Sequence, residues 1–224
     1  MAFERNEILA AHYQDTYELT YRFWAQRNRL FVSLLVLIGL AIVLTYRPND
    51  ANPIFIDFVA KCLAVSDTGR MSELQHSFPF AILHDVLLML IFFLTVNLFH
   101  RSLYVLRNFA YLGALERELR IALEIEPHDL AFSREGDFYW KDRPQMLATN
   151  KYVYVLLLGV LLIGFLGGRM YQDFHASNWL LLTGDLIVGL PIALYYGGYA
   201  GYTLKLDSSR IITQAHTEMS PGAS

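Results

Sequence analysis

Four long apolar runs divide this chain: Leu30 to Tyr46, Phe80 to Phe99, Tyr152 to Gly167 and Trp179 to Leu204. Each is close to the roughly 20 residues that an α-helix needs to cross about 30 Å of hydrocarbon. Inside a bilayer the backbone must satisfy its own N–H and C=O groups, so unbroken runs of this length fold as helices. Composition points the same way. The chain is 54% hydrophobic and 17% charged, where soluble domains carry about a quarter charged residues, and its mean hydropathy is +0.32. The fold class expected is an all-α polytopic membrane protein with four transmembrane helices, at 30–46, 80–100, 152–168 and 179–204. The first and third runs are short, so Arg27, Arg29, Lys151 and Arg169 are expected to snorkel toward headgroups. The first run begins some thirty residues in and ends at Tyr46-Arg47-Pro48 without a small-residue cleavage site, which makes it an anchor rather than a signal peptide.

Retained Lys and Arg mark the cytoplasmic side of a membrane protein. Residues 1–29, 101–151 and the segment after Leu204 together hold fourteen of these cations, against four in the intervening segments 47–79 and 169–178. Both termini are therefore expected in the cytoplasm, with the protein in a bacterial inner membrane. Tyr46, Phe78, Phe80, Tyr171 and Trp179 fall at the outer boundary, and Trp24, Tyr104, Tyr152, Tyr154 and Tyr202 at the inner one, as an aromatic belt requires.

The segments outside the runs have patterns of their own. Leu9, Tyr13, Tyr17, Tyr21 and Trp24 recur at spacings of three and four, which predicts a helix leading into the first span. Tyr104, Asn108, Tyr111, Leu115, Leu119 and Ala122 keep the same spacing after the second span, and that helix is expected to run on until Pro127 limits it. The two stripes would cover each other as an antiparallel pair, or else form a seam with another chain. Glu116 and Glu118, and the acids between Asp137 and Asp142, read as solvated faces. Leu130 to Trp140, centred on Glu135-Gly136, reads as a small β-hairpin. Pro53 opens an apolar stretch, Ile54 to Val65, with Asp57 and Lys61 four apart, expected to lie on the membrane as an interfacial helix. Residues 205–224 are expected to form a disordered tail.

Ionisable groups within the apolar runs are the first candidates for chemistry, because a charge in hydrocarbon is costly to hold. These are His84, Asp85 and Asp185. The two acids lie at similar depth, so they could share a proton or hold a cation between them. The alternatives are that they complement helix N-termini in the headgroup layer or hydrogen-bond between helices. A haem with two histidine ligands needs them on different facing helices. The third and fourth spans hold no histidine, leaving His84 only a loop partner such as His76 or His175, so no cofactor is expected. One cysteine, Cys62, excludes an internal disulfide and any multi-cysteine metal site, and no hydrolase, zinc-protease or P-loop motif occurs. A net charge of −3 argues against nucleic acid as partner.

Gly164/Gly168 and Gly197/Gly201 form two G-x-x-x-G steps, which flatten a helix face for close approach of another backbone. They are expected either to pack the third span on the fourth or to serve self-association. Pro191 removes a backbone donor in mid-span. In layout the chain resembles the small multi-span membrane components of bacterial defence or stress operons, which implies an oligomeric pore or sensor beside a soluble partner. The expected function is non-enzymatic: a self-associating channel-like or platform module that recruits a cytoplasmic partner through residues 101–150. The alternative is a small ion-coupled transporter using Asp85 and Asp185.

Overall fold

A computed structural model describes residues 2–62, 80–125, 145–175, 177 and 179–218. The described residues form five helices and no strand: α1 (Ala2–Tyr46), α2 (Pro48–Cys62), α3 (Phe80–Ala122), α4 (Gln145–His175) and α5 (Trp179–Glu218). Four of them contain stretches long and apolar enough to cross a membrane: Asn6–Tyr46, Ile82–Ala122, Lys151–His175 and Trp179–Leu204. The described part of the chain is accordingly all-helical and of integral-membrane type. The hairpin expected at 130–140 lies outside the described residues and has no support from them.

The helix ends have local causes. Pro48 pushes Arg47 away from the helical region, and α1 stops at Tyr46, with the Arg47 N–H donating back to the Val43 carbonyl at 2.9 Å. Pro48 then starts α2, where a proline loses no hydrogen bond. The expected start at Pro53 was thus too late, and Pro53 sits inside the helix. The second span does continue well past the apolar run, but it ends before Pro127. Glu124 takes a left-handed φ of 51°, which lets the Ile125 N–H reach the Arg120 carbonyl at 3.0 Å and the Glu124 N–H reach that of Ile121 at 3.3 Å. That is a Schellman cap built on a glutamate instead of glycine. At the other end of the chain α5 runs to Glu218, where a disordered tail from residue 205 was expected. No proline or glycine interrupts 205–218, so nothing local stops the helix within that segment.

The helices divide into two compact units. One holds 1–31, 97–155 and 197–224, the other 32–96 and 156–196. Residues 1–29, 101–125 and the part of α5 after Leu204, all expected on the cytoplasmic side, therefore fall in one unit. In that first unit α1 and α3 run antiparallel. The Asn6 amide donates to the Ala122 carbonyl at 3.4 Å, the Tyr13 hydroxyl donates to Glu116 Oε1 at 2.8 Å, His12 meets the Tyr111 hydroxyl at 2.9 Å, and the Phe23 and Tyr104 rings lie 5.8 Å apart. The intramolecular pair is the arrangement found. Its buried line on α3 is Val105, Leu112, Leu115 and Leu119, turned slightly from the expected stripe. Tyr104 and Tyr111 sit at its edges, half exposed, where their hydroxyls stay in reach of polar partners. Glu116 corrects the reading of a solvated face: it is buried, because Tyr13 supplies a donor inside the pair.

In the second unit Leu34, Ile38, Ala41 and Leu44 of α1, Leu87, Leu88 and Ile91 of α3, Leu158, Leu162 and Phe165 of α4, and Ile192 of α5 are buried. Leu180, Ile187, Leu190 and Leu194 of α5 and Ile163 of α4 are mostly exposed. A surface of that kind belongs against acyl chains rather than water. Buried hydroxyls are satisfied within their own helices: Thr45 donates to the Ala41 carbonyl at 2.8 Å and Thr95 to that of Ile91 at 2.7 Å. This is the local solution open to a helix in hydrocarbon. In α2, Lys61 and Asp57 pair at 2.6 Å as their spacing predicts, though on an exposed surface where such a pair contributes little.

Candidate functional site

Asp85 enters on the first turns of α3 and Asp185 on the first turns of α5. Both face a third group, Arg169, near the end of α4. The Arg169 Nε–H donates to Asp185 Oδ2 at 2.7 Å, and Nη2 donates to Asp85 Oδ1 at 2.8 Å. A fourth member, Asp173, lies one turn after Arg169 on α4, with its Oδ2 3.8 Å from the Arg169 Nε. Two neighbouring donors of one guanidinium thus go to carboxylates on two other helices, tying α3, α4 and α5 at one point. Such charge-assisted bonds are about twice as strong as neutral ones.

Burial within the cluster is uneven. The side chains of Arg169 and Asp185 are 8% and 6% exposed, that of Asp173 is 14% exposed, and that of Asp85 is 49% exposed. Asp185 therefore depends on Arg169 for nearly all the stabilisation that water would otherwise give, whereas half of the Asp85 side chain lies at the surface of the bundle. A buried carboxylate without a counter-charge is strongly destabilising. The Asp173 Oδ2 is buried and makes no hydrogen bond among the described residues, so the cluster holds three acids against one base.

Sequence reasoning found Asp85 and Asp185 and placed them at one depth, and the structure brings them to one cation. That cation was missed. Arg169 follows an apolar run directly, so snorkelling explained it without a partner; its spacing of four from Asp173 and the need of a lipid-embedded acid for a base were the available signals. His84 is half-buried on the same turn as Asp85 and takes no part in the contacts of Arg169.

No protein-family model, curated protein or solved structure matches this chain. Among the described residues no three His, Cys, Asp or Glu side chains gather so as to hold a metal ion.

The small-residue steps separate in the structure. Gly168 faces the Tyr46 ring so closely that a Cβ there would collide with it, and the Tyr46 hydroxyl donates to the Gly164 carbonyl at 2.9 Å. The Gly164/Gly168 step therefore receives α1, not α5. Gly159 meets the Tyr196 side chain, and Gly189 meets Met170 and Leu166, so the contacts between α4 and α5 use glycines outside the two expected steps. Gly197 and Gly201 are exposed, and a Cβ on either would meet nothing.

Proposed function

We propose that this protein is a non-enzymatic, self-associating membrane module: a scaffold whose spans are locked by an internal charge cluster and whose cationic side faces the cytoplasm and recruits a partner there. The observation that carries this reading is Arg169, donating to Asp85 and Asp185 from between them. The seat for a transported cation that two facing carboxylates would offer is taken by the chain's own guanidinium, which favours a fixed bundle over a carrier. The open faces at Gly197 and Gly201 support self-association, since glycine spaced by four admits close helix approach. The distribution of Lys and Arg supports an orientation with both termini cytoplasmic, and a bacterial inner membrane is part of the same proposal.

A second reading has one observation in its favour. The excess of acid in the cluster, centred on the unbonded Asp173 Oδ2, would suit a proton taken up and released as part of ion-coupled transport. Proteoliposomes loaded with a pH-sensitive dye, carrying wild type, Asp85→Asn or Asp173→Asn, separate the two. The scaffold reading expects the same background leak from all three. A wild-type flux abolished by either substitution replaces it with the transport reading.

A further inference from the structure

Arg27 stands three residues before the apolar run of α1 and is half-buried. Its Nε and Nη2 donate to Asn28 Oδ1 at 3.3 and 2.9 Å, which leaves three of the five guanidinium N–H groups. Among the described residues no carboxylate pairs with it. Around it the first unit supplies aromatic and cationic groups. Phe23, one turn before, carries the Arg101 guanidinium 5.0 Å from its ring centre; Phe31, one turn after, meets the Tyr154 ring at 5.3 Å; and Tyr154 and Tyr199 are the electrostatic neighbours of Arg27 itself. Arg101 thus lies over the ring one turn before Arg27, so the two cations sit at one level of the first unit among these rings, and among the described residues no carboxylate pairs with either; an anion would complete such surroundings.

The depth selects the anion. Trp24, Tyr104, Tyr152 and Tyr154 are all exposed at this level, which is how a belt at the headgroup layer is built. The guanidinium fork matches phosphate oxygens with two parallel hydrogen bonds, and basic pockets between spans take up acidic headgroups. We infer that Arg27 and Arg101 bind the phosphate of an anionic phospholipid, held at the rim of the first unit between α1, α3 and α4. This rests on the membrane-spanning reading and is independent of any role of Arg169.

The test uses the full chain in detergent, mixed with phosphatidylglycerol or phosphatidylcholine, with bound lipid counted by native mass spectrometry. Wild type is expected to retain phosphatidylglycerol over phosphatidylcholine by about five-fold or more, the factor one basic residue at a charged surface supplies. Arg27→Gln is expected to erase that preference, and Arg107→Gln, an exposed arginine further along α3, to preserve it. Equal retention of the two lipids by wild type, an Arg27→Gln protein that keeps the preference, or the same loss in Arg107→Gln each overturns the proposal. So does displacement of the lipid by millimolar glycerol phosphate, which would make this a site for soluble phosphate. Should Arg27→Gln fail to fold, Arg101→Gln carries the test, and unchanged selectivity in it overturns the inference.

Discussion

The two acids held by Arg169 should respond differently to neutralisation. Half of the Asp85 side chain lies at the surface of the bundle, in the first turns of α3 at the proposed outer headgroup layer, so Asp85→Asn is expected to cost under about 1 kcal/mol, as for exposed pairs. Asp185 is almost wholly buried, and Asp185→Asn, which takes a buried anion from a buried cation, is expected to cost about 3 kcal/mol or more. Thermal melting in detergent, followed by tryptophan fluorescence, ranks the two; equal losses would mean that burial does not set the strength of these bonds. Gly168→Leu makes a second residue-scale expectation. Its side chain would have to displace the Tyr46 ring, so the variant should melt well below wild type, as overpacked sites do by about 1–3 kcal/mol, while Gly164→Ala should be nearly neutral because its Cβ meets nothing. Asp85 and Asp185 were legible as acids inside apolar runs. Their partner was not, because which side chains meet across three helices is set by the rotation of each helix about its axis, and one sequence carries no record of that angle.

At the scale of elements, spacing carried far. The stripes at three and four residues gave both the long α1 and the continuation of α3, and their mutual cover is what the antiparallel contacts display. Spacing did not give the burial of Glu116, since a carboxylate on an apolar face is tolerated only where a donor such as the Tyr13 hydroxyl arrives from the facing helix. Tyr13→Phe removes that donor and is expected to lower stability by about 1–3 kcal/mol, the penalty for an orphaned buried acceptor. Hydrogen exchange should quicken in the paired segments around residues 6–20 and 110–122, and unchanged protection there would contradict a paired role. The helix end at Ala122 offers the opposite sign. Glu124 occupies a left-handed φ of 51° that glycine adopts freely, so Glu124→Gly is expected to stabilise by about 0.5–1 kcal/mol. A lower melting temperature would show that the glutamate side chain contributes more than its backbone strain removes.

For the molecule as a whole, length and hydropathy were enough to count the spans, because lipid leaves the backbone so few solutions. The separation of the two G-x-x-x-G steps was not readable, since the motif marks where a backbone can approach without saying which helix does. In the proposed orientation the exposed Cys62 faces outward, so a membrane-impermeant maleimide should label it in intact cells; labelling only after lysis would invert the threading. The proposed self-association expects a mass above the 25.7 kDa of one chain by light scattering in detergent, reduced to that of a folded monomer by Gly197→Leu. The central claim, that the intramembrane acids are held by the chain's own arginine, is tested most directly by a double-mutant cycle of Arg169→Gln and Asp185→Asn, read as unfolding free energies in detergent. Arg169→Gln is expected to lose about 3–5 kcal/mol by stranding Asp185, and the double variant to be more stable than the sum of the single losses allows, by about 1–3 kcal/mol. Single losses that add without coupling, or an Arg169→Gln protein as stable as wild type, would contradict it.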